Sequence, residues 1–207
     1  MTTATLSTEH RVVRRILRLQ VFTILWMAAE TIVSLFAAWR ARSPALLGFG
    51  GDSAIELFSA AVVFWRFRSK SRPALSERLA ARIAGALLIA LAVYVAVVSI
   101  FALLGHRKSH PSLMGIVLLL FAALVMPWLA HEKRKLAVLT SSAALKADAV
   151  ESALCGYLAW IALAGLLVNA FWGQSWADPF AALLLIPLIV REACEALRSS
   201  TLSCHCL

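Results

Sequence analysis

Asp52 and Glu56 stand four residues apart in one hydrophobic stretch, and Glu151 and Cys155 repeat that step in another, with Asp148 three residues before Glu151. On a helix, residues at i and i+4 lie on one face, which is where two ligands of one ion must lie. Carboxylates combined with a thiolate suit zinc, cobalt, ferrous iron or cadmium better than magnesium or calcium, which favour all-oxygen shells. Glu30 is a further acidic residue inside an apolar run. The chemistry expected of this set is reversible binding of a divalent transition metal, with zinc first.

The segments that carry these residues belong in a bilayer. Hydrophobic residues make up 61% of the 207-residue chain, against roughly 45 to 50% in soluble domains. No charge interrupts the run from Ile83 to Leu104, which exceeds the ~20 residues needed to cross a hydrocarbon core. Membrane-spanning runs are expected at about 20–39, 45–65, 83–104, 113–130, 147–171 and 179–197. They lack the period-two alternation of barrel strands, so the fold class is all-α, a polytopic membrane protein with six transmembrane helices. The expected organisation is a cytoplasmic segment 1–19, a transporter domain 20–198 and a cytoplasmic tail 199–207.

Charge placement orients the helices. All of the 20 lysines and arginines except Arg40, Arg42, Arg107 and Lys108 fall on segments that share a side with the N-terminus. The positive-inside rule therefore predicts cytoplasmic termini and a multi-pass protein of the inner membrane. The net charge of +9 reports this topology and contact with anionic lipid head groups, and no nucleic-acid motif accompanies it. Trp39, Trp65, Trp128, Trp172 and Trp176 fall at expected span ends, as an interfacial belt requires.

A charge at a helix centre costs ~2.5 to 3.5 kcal/mol on insertion scales, so Glu30, Asp52, Glu56, Asp148 and Glu151 together would cost roughly 10 kcal/mol or more if all lay deep. Within the assigned spans the sole basic residue is Arg191, so ion pairs cannot neutralise the set and a bound cation can. At about 1.5 Å per residue, Glu56 lies about 16 Å inward from Ala45, Cys155 about 14 Å from Lys146, and Glu30 about 16 Å from Leu19. Those levels nearly coincide. Asp52, Glu56, Glu151 and Cys155 are the expected metal ligands, with Asp148 and Glu30 in support. The plainer reading is that the carboxyls are protonated and hydrogen-bonded between helices, with Cys155 an apolar packing residue.

At these residues the chain resembles the cation diffusion facilitator (cation efflux) family. Ser43 and Ala45-Leu46-Leu47 followed by Gly51-Asp52-Ser53-Ala54-Ile55-Glu56 are similar to the family's second helix; Ala147-Asp148-Ala149-Val150-Glu151 to the start of its fifth; Trp176-Ala177-Asp178-Pro179 to the turn into its sixth. The resemblance implies a six-helix exporter that exchanges zinc or a related metal for protons. Where the family usually has histidine or aspartate and then aspartate, this chain has Glu151 and Cys155. The family's cytoplasmic dimerising domain has no counterpart after 198, so the likeness is to a short, membrane-only branch, and a homodimer is expected only by analogy.

Other chemistries fit less well. All of His10, His106, His110, His131 and His205 lie outside the expected spans, which leaves an intramembrane protease without ligands and Cys155 without a base. His131-Glu132 lacks the second histidine of a zincin motif. An enzyme is therefore not expected, nor a cofactor beyond the carried ion. Cys204-His205-Cys206 could capture metal, though an inert tail is the simpler reading, and Glu192 and Glu195 beside Cys194 could line a cytoplasmic entry, though a charged interfacial helix end is the simpler reading. The alternative of a different class is a membrane metal-binding or scaffold protein that moves no ion.

Overall fold

The computed structural model describes residues 3–68, 73–105, 109–140 and 143–202, with side chains described over 14–58, 82–105, 109–139 and 148–198. Six helices follow one another: α1 (Thr3–Ala41), α2 (Pro44–Arg68), α3 (Pro73–Leu103), α4 (Leu113–Thr140), α5 (Ala143–Trp172) and α6 (Ala177–Leu202). The expected all-helical class holds among the described residues. Cys204, His205 and Cys206 lie outside them, as does His106.

Local chemistry sets the helix boundaries. Ser43 caps α2, its hydroxyl accepting the Leu46 N–H at 3.1 Å, and Pro44 takes the first helical position, where a missing N–H costs nothing. Ser112 caps α4 in the same way, accepting from Gly115 at 3.1 Å. Gly105 (φ 82) and Gly173 (φ 64) follow the ends of α3 and α5 in the left-handed region that stops a helix.

Among the described residues, four stretches are long and apolar enough to cross a membrane: Arg14–Ala41, Arg82–Leu103, Leu113–Leu139 and Asp148–Trp172. α6 stands apart from these stretches in carrying Asp178, Arg191, Glu192 and Glu195, and α2 carries Asp52 and Glu56.

The bundle is apolar outside as well as inside, as lipid requires. Ile32, Val93, Leu113, Leu124 and Phe171 are exposed, while Leu46, Phe49, Leu119, Met126, Leu158, Leu185 and Ile189 form the core. The most extensive contacts are those of α4 with α5, α3 with α6, and α1 with α2, and α2 also touches α3, α5 and α6. Small residues let these helices approach closely, the usual means of packing in lipid. A Cβ at Gly51 would lie 2.6 Å from Leu91 of α3, and one at Gly50 would collide with the Ser34 hydroxyl of α1. Asp52 follows directly, so the tightest part of α2 is the part that presents it.

The helices run further than the expected spans, α1 starting at Thr3, α3 at Pro73 and α6 ending at Leu202, and the extension with the most consequence is between α4 and α5. α4 continues to Thr140 and α5 starts at Ala143, which turns the expected connection 131–146 mostly into helix. Lys133 is thereby carried into the bundle and is fully buried. Arg191 is consequently not the sole basic residue of the helical bundle.

Candidate metal site

α2 and α6 start side by side. Ser43 Oγ donates to Asp178 Oδ1 at 2.7 Å, and Ser109 Oγ, from the α3–α4 connection, donates to Asp178 Oδ2 at 2.7 Å. Asn169 of α5 reaches the Ser109 carbonyl at 3.4 Å. Asp178 is completely buried and satisfied, so this polar knot fixes the register of α6 against α2 at one end of the bundle.

From that shared origin the two helices run in the same direction. Along α6 the buried stripe is Asp178, Ala182, Leu185, Ile189 and then Glu192 with Ala193; along α2 it is Leu46, Phe49, Asp52 with Ser53. Steps of three and four residues keep each stripe on one face. Ligand oxygens of Asp52, Glu56 and Glu192 consequently converge, all within 4.8 Å of one another. Asp52 has no exposed surface and Glu192 is 9% exposed.

These carboxylates lack donors. Neither Oδ1 nor Oδ2 of Asp52 has a hydrogen-bond partner, nor has Oε1 of Glu56 or Oε1 of Glu192. Arg191 offers no help, because its Nε turns outward to Glu195 at 2.9 Å. Three carboxylates at this spacing repel one another and require a cation or protons among them. A divalent ion compensates two of the three charges and accepts lone pairs from all three groups, and one proton compensates the remaining charge.

The other expected site residues divide into two groups. Cys155 is fully buried on α5 within electrostatic range of Glu56, Glu30, Asp52 and Glu192. Glu151, an exposed residue of α5, is close enough to act electrostatically on Glu56. Glu30 is buried on α1, with Oε1 accepting from Trp26 Nε1 at 2.7 Å and Oε2 without a partner. These three surround the Asp52–Glu56–Glu192 cluster without belonging to it.

Asp148 belongs elsewhere. Its Oδ1 is 2.8 Å from Lys133 Nζ, and its Oδ2 accepts from Gln20 Nε2 at 2.7 Å. Lys133 also donates to Ser152 Oγ at 2.8 Å. This second knot ties α1, α4 and α5 together, and both of its charges are already compensated. Nearby, Glu132 pairs with Arg15 at 2.7 Å and with Lys135 at 2.9 Å.

Glu192 is the residue that the sequence reading placed at an interfacial helix end. Its neighbour Glu195 fits that expectation, being exposed and paired with Arg191. The signal for Glu192 lay in its spacing from Asp178 along the stripe through Leu185 and Ile189. Two open grooves on the flanks, one beside Pro127, Tyr157 and Trp160 and one beside Trp26, Met114 and Phe121, hold none of these carboxylates.

No curated protein matches the chain. The cation efflux transmembrane domain family matches it over residues 21–203, nearly its whole length. The chain therefore belongs to the cation efflux family and is a multi-pass membrane transporter of cations.

Proposed function

We propose that this transporter exports zinc, or a transition metal of similar chemistry, from the cytoplasm across the inner membrane in exchange for protons. Asp52 and Glu56 are its central ligands, with Glu151 and Cys155 approaching from α5. The observation that carries this reading is the pair of donorless oxygens on fully buried Asp52, beside a donorless oxygen of Glu56. A carboxylate held in that state costs several kcal/mol unless a cation or a proton compensates it.

The exchange follows from ligand chemistry. Carboxylates and thiolates bind metal only when deprotonated, so loading the ion releases protons and protonation releases the ion. A carrier whose site holds either metal or protons crosses its conformational cycle with the charge compensated in both directions. An inward proton gradient then drives metal outward. The positive charge on segments that share a side with the termini supports cytoplasmic termini, and the thiol of buried Cys155 supports zinc over magnesium or calcium.

The test is metal flux into proteoliposomes. Wild-type protein should accumulate zinc, and Asp52→Ala and Glu56→Ala should reduce the rate to that of empty vesicles while inserting normally. Flux unchanged in both variants would overturn the proposal.

A further inference from the structure

We propose that Glu192 is a direct ligand of the transported ion, so that α6 carries part of the metal site along with α2. This rests on the reading of Asp52 and Glu56 as ligands given above. Three observations point to it. Ligand oxygens of Asp52, Glu56 and Glu192 lie within 4.8 Å of one another, a spread that one ion can bridge. The cluster contains a completely buried side chain, Asp52, both of whose oxygens lack partners, and Glu192, over nine-tenths buried, has a donorless Oε1 of its own. The basic residues near the site are engaged elsewhere, Arg191 with Glu195 and Lys133 with Asp148.

Outside the cluster Glu192 finds no donor: its Oε1 has no hydrogen-bond partner, and the side chain it lies against is another carboxylate, Asp52. Nor does an accidental approach account for the register. The Ser43–Asp178 hydrogen bond sets the two helix starts level. Fourteen residues beyond Asp178 is about 21 Å of rise, and thirteen beyond Ser43 is about 20 Å, so Glu192 and Glu56 arrive at the same depth. The buried thiol of Cys155 on α5 lies within electrostatic range of these carboxylates, outside their cluster. The site accordingly suits first-row divalent ions that accept mixed oxygen and sulfur donors. Because α3 packs extensively on α6, binding at Glu192 also links the ion to the α3–α6 pair, outside the helices that hold Asp52 and Cys155.

The experiment is metal binding to the purified full chain in lipid nanodiscs, with zinc affinity read by calorimetry and cadmium by thiolate charge-transfer absorption. Glu192→Gln should weaken zinc binding at least 10-fold, and Glu192→Asp should recover part of that loss. In Glu192→Cys, cadmium absorption should exceed that of the parent chain by the increment of one further thiolate, and Asp52→Asn should remove the increment. Zinc affinity unchanged in Glu192→Gln, together with no gain of absorption in Glu192→Cys, overturns the proposal. If Asp52→Asn still abolishes binding in that case, the central ligands stand and Glu192 alone is excluded. If Asp52→Asn and Glu56→Gln also leave binding intact, the ligand reading itself falls.

Discussion

The hydroxyl of Ser43 donates to the carboxylate of Asp178 at 2.7 Å while also capping α2, so one side chain fixes both where α2 begins and how α6 is aligned with it. Glu56 and Glu192 lie more than three turns away along the two helices, with Asp52 about two and a half turns along α2, and the placement of the three carboxylates follows from that contact. Asp178→Ala leaves the buried hydroxyls of Ser43 and Ser109 without their acceptor, a loss of about 1 to 3 kcal/mol. The expected result is a lowered unfolding midpoint in detergent with weakened zinc affinity, and Asp178→Asn should do less harm because it can still accept one hydroxyl. Undisturbed zinc affinity in Asp178→Ala would show that the register does not depend on the knot.

Lys133 and Asp148 should behave as a structural pair. Removing Asp148 leaves the fully buried Lys133 uncompensated, so Asp148→Ala should cost about 3 to 5 kcal/mol, and more than Lys133→Ala, which leaves a partly exposed Asp148 still hydrogen-bonded by Gln20. Joint replacement, Lys133→Met with Asp148→Leu, should recover most of that stability. Thermal unfolding checks both, and zinc affinity of the folded double variant should stay within a few-fold of wild type. Loss of binding as complete as in Asp52→Asn would place Asp148 among the ligands instead.

The sequence was informative where a residue's type was anomalous for its surroundings. Asp52 and Glu56 stood out as charges in an apolar run, and the cap at Ser43-Pro44 was readable from residue preferences. Glu192 and Lys133 were obscure for the opposite reason. Each sits beside other charges, Arg191 and Glu195 in one case and Glu132, Arg134 and Lys135 in the other, and looked like part of a solvated segment. Only tertiary packing distinguishes the buried member of such a cluster from its exposed neighbours. The pairing of Asp148 with Lys133 was hidden for the same reason, since Lys133 comes from α4 through a helix that extends past the expected span.

Topology can be tested at His110, an exposed residue of the α3–α4 connection whose N–H donates to the Ala41 carbonyl at 2.8 Å. In a chain with its native cysteines replaced by serine, His110→Cys should react with an impermeant maleimide only from outside the cytoplasm. Ser200→Cys should react only from the cytoplasm. Reversal of the two would invert the proposed orientation, and with it the direction assigned to transport.

Coupled exchange is tested most directly by recording zinc flux and lumenal pH together in proteoliposomes under an imposed proton gradient. With the lumen more acidic than the medium, wild-type zinc uptake should accelerate and lumenal pH should rise in proportion to the zinc taken up, while Asp52→Ala should show neither change. Zinc uptake that proceeds at the same rate with and without the gradient, and without proton movement, would contradict the account.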